Sequence, residues 1–139
     1  MFLPKKTKFR KCRKVRVSGR AQSCSVDFGS YGLKVDENIK ITSRQLEAIR
    51  KVVSRTLKRS GVLYLRVFPH LPVTKKPLAV RMGGGKGAVE LWVAPVASGT
   101  VIIEVDNVNQ ELAIEALTKA QYKLAASCSI VKRRFAYIQ

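Results

Sequence analysis

The first twenty residues hold nine cations (Lys5, Lys6, Lys8, Arg10, Lys11, Arg13, Lys14, Arg16 and Arg20) and no acid, a density of like charge that no core can take in. Residues 91–118 are the reverse: they contain no Lys or Arg and four acids, Glu104, Asp106, Glu111 and Glu115. A core must therefore draw chiefly on the region after residue 88, with 1–20 outside it as an extended basic arm. Phe2 and Phe9, interleaved in that arm, suit stacking or docking. The 139 residues sum to a formal charge of +18, from 27 Lys+Arg against 9 Asp+Glu. A folded body so charged repels itself unless an anion meets it. Nucleic acid is the first such partner to consider, and an anionic membrane surface the second.

With 46% hydrophobic and 26% charged residues the chain is globular, and its length suits a single domain, 1–139. No apolar run approaches the ~18–20 residues that cross a bilayer. The basic N-terminus lacks the apolar stretch of a secretory signal and the Ser-rich, amphipathic character of a transit peptide. Cys12, Cys24 and Cys128 are odd in number, widely spaced and accompanied by one histidine, His70. Reduced thiols are expected, with no zinc site.

Along the chain, 24–35 reads as a bent or bulged strand around Gly29 and Gly32. Thr42 and Gln45 form a capping box for a first helix, with Leu46, Ile49, Val52, Val53, Thr56 and Leu57 as its apolar stripe and Gly61 as its stop. The other faces of that helix carry Arg44, Arg50, Lys51, Arg55, Lys58 and Arg59 against Glu47 alone. Val62–Phe68 reads as a strand, and Pro69, Pro72 and Pro77 keep the next stretch out of regular pairing. A glycine-rich loop is expected over 69–88. Val89–Val96 and Thr100–Val105 read as a hairpin turning at 97–99. Asn109 can cap a second helix with Ala113, Ala116, Leu117, Ala120 and Leu124 inside, followed by a last strand over 128–137. The class is α+β: a two-layer sandwich, its sheet mostly antiparallel, with two helices packed on it.

The loop reads Pro77-Leu-Ala-Val-Arg-Met-Gly-Gly-Gly-Lys-Gly87. Its glycines cannot hold it by side-chain packing, and its charges, Arg81 and Lys86, invite an anion. It is not a P-loop, because Gly87 follows Lys86 where a hydroxyl residue must hold magnesium. Nor is it a dinucleotide fingerprint, since a strand rather than a helix follows. His70 reads as a surface loop residue. Glu104 and Asp106 share one side of a strand, the spacing of a carboxylate pair, but such acids also simply solubilise strand ends. No enzyme, cofactor or metal is expected. Helix-turn-helix, zinc-finger, basic-zipper and RNA-recognition-motif patterns are missing, and cations on several separate elements fit structured RNA read by shape and phosphate.

Several stretches, in order and with matching spacing, carry a resemblance over nearly the whole chain: Pro4–Lys11, Phe28–Lys34, Ile41–Ala48, Arg66–Pro69, Lys76–Gly83 with Gly85–Gly87, Val89–Glu90 and Trp92–Ala94. Together they resemble the bacterial and organellar large-subunit ribosomal protein sixteen family. His70, Ser98, Asn107 and Asn109, and in the arm Cys12 and Val15, depart from its usual pattern. The resemblance implies a fold seated on large-subunit ribosomal RNA near the five-S RNA and the aminoacyl-tRNA site. It implies contact with tRNA and neighbouring ribosomal proteins, a part in subunit assembly, and no catalysis. The arm cations with Arg44, Lys51, Arg55, Lys58 and Arg59 then take the ribosomal RNA role. Arg81, Met82, Gly83, Gly84, Gly85, Lys86 and Gly87 form a tRNA-proximal loop. A bacterial cytoplasmic or an organellar ribosome fits equally, with no membrane contact and no homo-oligomer. The rival readings are a cationic membrane-surface protein and an RNA-modifying enzyme.

Overall fold

The computed structural model describes residues 2–58 and 60–134. The order is β1 (Tyr31–Val35), β2 (Ile39–Thr42), α1 (Ser43–Thr56), β3 (Val62–Leu65), β4 (Leu71–Lys75), β5 (Ala88–Val96), β6 (Val101–Asp106), α2 (Gln110–Gln121) and β7 (Cys128–Lys132). The α+β class and the antiparallel pairing are as expected. The capping box is formed: Gln45 N–H donates to Thr42 Oγ1 at 3.2 Å and Thr42 N–H to Gln45 Oε1 at 2.8 Å, satisfying two donors a helix start leaves free. Leu46, Ile49, Val53 and Leu57 turn inward, as do Ala113, Ala116, Leu117 and Ala120 of α2. Small side chains on α2 let the two helices approach closely. α1 also packs on β2 and β5, and α2 on β1 and β7.

The strands divide between two sheets, one in the order β3-β6-β1-β7 and one in the order β2-β5-β4. The expected hairpin at 97–99 is therefore corrected: β5 and β6 are consecutive but lie in different sheets. The chain turns a corner there, with Gly99 at φ +89 donating its N–H to Val35 O at 2.6 Å, and a Cβ on Gly99 would sit 2.7 Å from Cys24 Sγ. The expected loop over 69–88 is shortened by β4, which pairs Pro72 opposite Trp92. β4 is an edge strand, where a proline is tolerated, and Pro95 of the central β5 lies beyond the last residue that pairs with β4.

Three further boundaries move. Only 31–35 of the expected first strand is strand, with a register shift at Leu33/Lys34, and β2 follows it. α1 ends at Thr56, with Lys58 at φ +49 making the exit that Gly61 was expected to make; Gly61, at φ +72, leads into β3. Asn109 stands at the N-cap of α2 but makes no side-chain cap bond. Asn107 takes a left-handed φ of 57, which asparagine tolerates better than most side chains. The last strand stops at Lys132, and 135–137 lie outside the described residues.

Glu104 is neither part of a catalytic pair nor a solubilising strand end. It is the fourth of five consecutive buried residues of β6 and is 0% exposed. Its Oε2 accepts the N–H groups of Phe28 and Gly29 at 2.7 Å each, and its Oε1 accepts Asp27 N–H at 3.3 Å and Arg66 Nη1. Arg66 in turn reaches Asp27 Oδ2 at 2.7 Å and lies over the Phe28 ring. Gly29 is required here, because a Cβ would sit 2.7 Å from Val105 O. Asp106 accepts Ser30 Oγ at 2.5 Å, extending the same tie between β6 and the 27–30 segment.

Burial alone would raise the Glu104 carboxyl's pKa, but the N–H groups of Gly29 and Phe28, the Arg66 guanidinium and Asp27 N–H hold it below its ordinary 4.5. A carboxylate with a lowered folded-state pKa gives its full stabilisation above the unfolded value and loses it as pH falls through the folded one. Glu104→Gln should therefore lower stability by about 3 kcal/mol at pH 7. Urea denaturation should show the gap to wild type narrowing below pH 4.5 as the wild-type carboxylate protonates. An equal gap at pH 7 and pH 3 would refute this role.

Cys12, Cys24 and Cys128 are all free thiols. Burial, and then the neighbouring Asp36 and Glu37, push the Cys128 thiol up to about 11, so it is almost wholly protonated at pH 8. Iodoacetamide at pH 8 should label the half-buried Cys12 and Cys24 first, and Cys128 only after denaturation, as peptide mass spectrometry would show.

Candidate nucleic-acid interface

All nine arm cations are exposed, and 2–20 runs outside both sheets. Phe2 does dock, packing edge-on against Phe68 with ring centroids 6.5 Å apart. Phe9 instead remains 70% exposed, with the Lys8 ammonium over its ring. The arm joins the folded body at the 97–99 corner, where Ala21 N–H donates to Ser98 O at 2.8 Å.

On α1, Arg44, Lys51 and Arg55 are exposed, and at 3.6 residues per turn they fall within about 40° around the axis. Exposed Lys58 follows just past the helix end. They form a straight basic stripe on the side away from Leu46, Ile49 and Val53. Arg44 stands in a first turn that holds no acid, where the helix dipole disfavours a cation by a few tenths to ~1 kcal/mol, and an anionic partner would reverse that sign. Arg59 lies outside the described residues.

Pairing separates these cations from five others. Lys34, Arg50, Arg66, Lys75 and Lys119 each meet a carboxylate. Among the described residues, no arm cation and none of Arg44, Lys51, Arg55 and Lys58 does so. The ion pairs engage acids within the body, while the arm and stripe are left as a one-signed surface that salt or a polyanion must screen.

The glycine-rich segment leaves β4 at Lys75 and re-enters β5 at Ala88. Gly83, Gly84 and Gly85 all have φ between 68 and 97, with open space where a Cβ would be. Arg81 is exposed, and Leu78 and Met82 are bare, at 102% and 96%. What holds the loop is a pair of ammonium groups that sequence reasoning missed as structural. Lys76 Nζ donates to Gly83 O at 2.6 Å across the loop, and Lys86 Nζ donates to Cys12 O in the arm. Lys11 Nζ returns the contact to Lys86 O at 2.8 Å. The arm and loop, 75 residues apart in sequence, are thus clasped by their own lysines. Beside the clasp, Arg10, Lys11 and Phe9 line a cleft of about 800 Å³ against Val89 and Trp92.

The structure therefore brings the arm and the loop together. His70 is exposed, with Nδ1 3.2 Å from Phe68 O, as a surface loop residue. Among the described residues no three His, Cys, Asp or Glu side chains converge on a common point.

A family model described as Ribosomal protein L16p/L10e matches residues 4–131. The chain is 52% identical over 134 residues to the large ribosomal subunit protein uL16 of Rhodopseudomonas palustris (strain BisB5), covering 96% of this chain and 98% of the relative. It is 49% identical over 134 residues to the protein of that name from Spiroplasma kunkelii, with the same coverage.

The clasp is testable in the free protein. Lys86→Met keeps the aliphatic stem and removes the ammonium, so tryptic cleavage within residues 10–16 should quicken about fivefold, the effect of losing ~1 kcal/mol of local hydrogen bonding. Cleavage after Lys58, remote from the clasp, should keep its rate.

Proposed function

The chain belongs to the ribosomal protein L16p/L10e family, and from that premise we propose that it is a structural, non-catalytic component of the large ribosomal subunit, acting as one domain over 1–139. Its ligand is large-subunit ribosomal RNA, held by two surfaces, the arm (Lys5, Lys6, Lys8, Arg10, Lys11, Arg13, Lys14, Arg16 and Arg20) and the α1 stripe (Arg44, Lys51, Arg55, Lys58), and by Arg59, which lies outside the described residues. The observation that carries this reading is that, among the described residues, none of these exposed cations has a carboxylate partner, whereas Lys34, Arg50, Arg66, Lys75 and Lys119 each do. Phosphate is the counter-charge that such a surface needs in order to be stable.

The loop from Arg81 to Gly87 takes a second role, reaching toward tRNA near the aminoacyl site. Support comes from its exposure, its two cations and a backbone free of Cβ atoms at three successive positions. A loop of this kind can lie against an RNA backbone and position it without bond-making chemistry. Docking of the arm and stripe would contribute to subunit assembly, alongside neighbouring ribosomal proteins and without self-association. The sources of the relatives support a bacterial-type ribosome, in a bacterial cytoplasm or an organelle. A membrane-surface role fits less well, because the apolar stripe of α1 is buried and not left open opposite the cations. No helix among the described residues is long and apolar enough to cross a membrane.

Sucrose-gradient sedimentation tests the proposal: the protein should travel with the large subunit and with translating ribosomes in moderate salt. Lys14→Ala or Lys51→Ala should weaken RNA binding and flatten its log–log salt dependence by roughly 0.7–0.9 per lost phosphate contact. Arg81→Ala should sediment normally and instead weaken tRNA occupancy of the aminoacyl site, measured by filter binding. Sedimentation only at the top of the gradient would overturn the ribosomal reading. Poor assembly with Arg81→Ala, but normal tRNA binding once assembled, would overturn the division of roles.

A further inference from the structure

The C-terminal end of α1 and the outer face of α2 enclose an open groove of about 710 Å³ that neither the arm nor the loop touches. Val52, Thr56 and Leu112 form its floor. Its rim carries Arg55 and Lys58 from the α1 side and Lys119 and Lys123 from the α2 side, against one acid, Glu115. Glu115 is already committed to Lys119, with Nζ to Oε1 at 2.5 Å, so Arg55, Lys58 and Lys123 are left over as uncompensated charge. Tyr122, at the C-cap of α2, stands over this groove at 80% exposure, while the small residues before it on α2 are buried.

From this juxtaposition we propose that the groove is a binding site for one unstacked nucleotide of single-stranded RNA, its base on the Tyr122 ring and its flanking phosphates on Arg55, Lys58 and Lys123. The inference rests on the RNA-binding reading above and deepens it. Charge complementarity sets the sign of the occupant. The combination of an exposed aromatic face with cations on both flanks is the way proteins hold splayed-out bases, and an acidic peptide would have no use for the free ring face. The volume falls within the roughly 300–1,000 Å³ of clefts that enclose small ligands. The groove also continues the line of Arg44, Lys51 and Arg55, so a strand following that stripe would arrive in it.

Fluorescence anisotropy of the full chain with a short unstructured RNA, and with a blunt RNA duplex of equal length, gives the first readout. Tyr122→Ala should weaken single-strand binding about 5- to 150-fold, the range for losing one base–aromatic stack, with the salt slope and duplex binding unchanged. Tyr122→Phe, which keeps the ring, should retain wild-type affinity. Lys58→Ala should instead flatten the salt slope by about 0.7. Ultraviolet cross-linking of assembled large subunits, read by peptide mass spectrometry, should find a nucleotide adduct on Tyr122. Unchanged single-strand affinity in Tyr122→Ala would overturn the proposal, and so would a cross-link from Tyr122 to another protein. Failure of the wild-type chain to sediment with the large subunit would strike the ribosomal reading itself. Normal sedimentation of wild type and Tyr122→Ala alike, with no adduct, would strike the groove alone.

Discussion

One buried carboxylate fixes the relation between the parts of this molecule that touch solvent and the parts that do not. Glu104 has no water to solvate it, so three backbone N–H groups and one guanidinium must do so. Those donors come from the 27–29 turn before β1 and from Arg66 after β3, and the acceptor comes from β6 between them. Three elements of the larger sheet are thereby held in one register by a single side chain. The arrangement also sets Phe28 at the surface, stacked on Tyr64 with ring centroids 5.7 Å apart and covered by Arg66 at 4.9 Å. A smaller or uncharged residue at 104 would leave donors unsatisfied on two sides at once, which costs more than the absence of a favourable contact.

Electrostatics in the rest of the chain follow from the same economy of acids. With nine carboxylates for twenty-seven cations, most acids are used where they order structure: Glu104 and Asp106 under the 27–30 segment, Glu47 and Glu115 along their helices, and Asp36 and Glu37 beside β7. None reaches the arm or the α1 stripe. The charge asymmetry of the sequence thus becomes a spatial one, with the acids engaged inside the body and the arm and stripe left without ion pairs among the described residues. The energy missing from the isolated fold, the repulsion within that surface, is the energy an RNA partner would relieve.

Local features of the fold were legible where chemistry acts over a few residues. The Thr42–Gln45 capping box, the Leu46–Ile49–Val53 stripe and the alanine face of α2 follow from spacing alone. The two-sheet division did not, because 97–99 reads as a hairpin unless the competing partners of β5 and β6 are known, and those partners lie up to 74 residues away in β1, β2, β3 and β4. β4 was hidden by Pro72, since a sequence does not announce which strand will be an edge. Among candidate site residues, the cations of the arm and stripe were visible as composition. Tyr122 was not, because its meaning depends on α1 lying across the groove from it. The spacing of Glu104 from Asp106 suggests only a carboxylate pair or a solubilised strand end. The role of Glu104 rests on a turn 75 residues upstream.

The loop shows why a rigid body and a compliant tip can share one chain. Leu78 and Met82 bury nothing, three glycines occupy left-handed backbone, and the ties are ammonium groups reaching carbonyl oxygens and one backbone turn, Val80 N–H to Pro77 O at 3.2 Å. Such ties are individually modest and exposed to water, so the segment can shift for the cost of a few hydrogen bonds while β4 and β5 stay paired beneath it. Two of the three ammonium ties end on the arm. Whatever seats the arm therefore also sets where the loop begins its reach, and an anion drawn to Lys11 or Lys86 competes with the carbonyl each one holds. Binding at one surface and posture at the other are linked through the same two side chains, without a hinge in the core and without strain in the sheets.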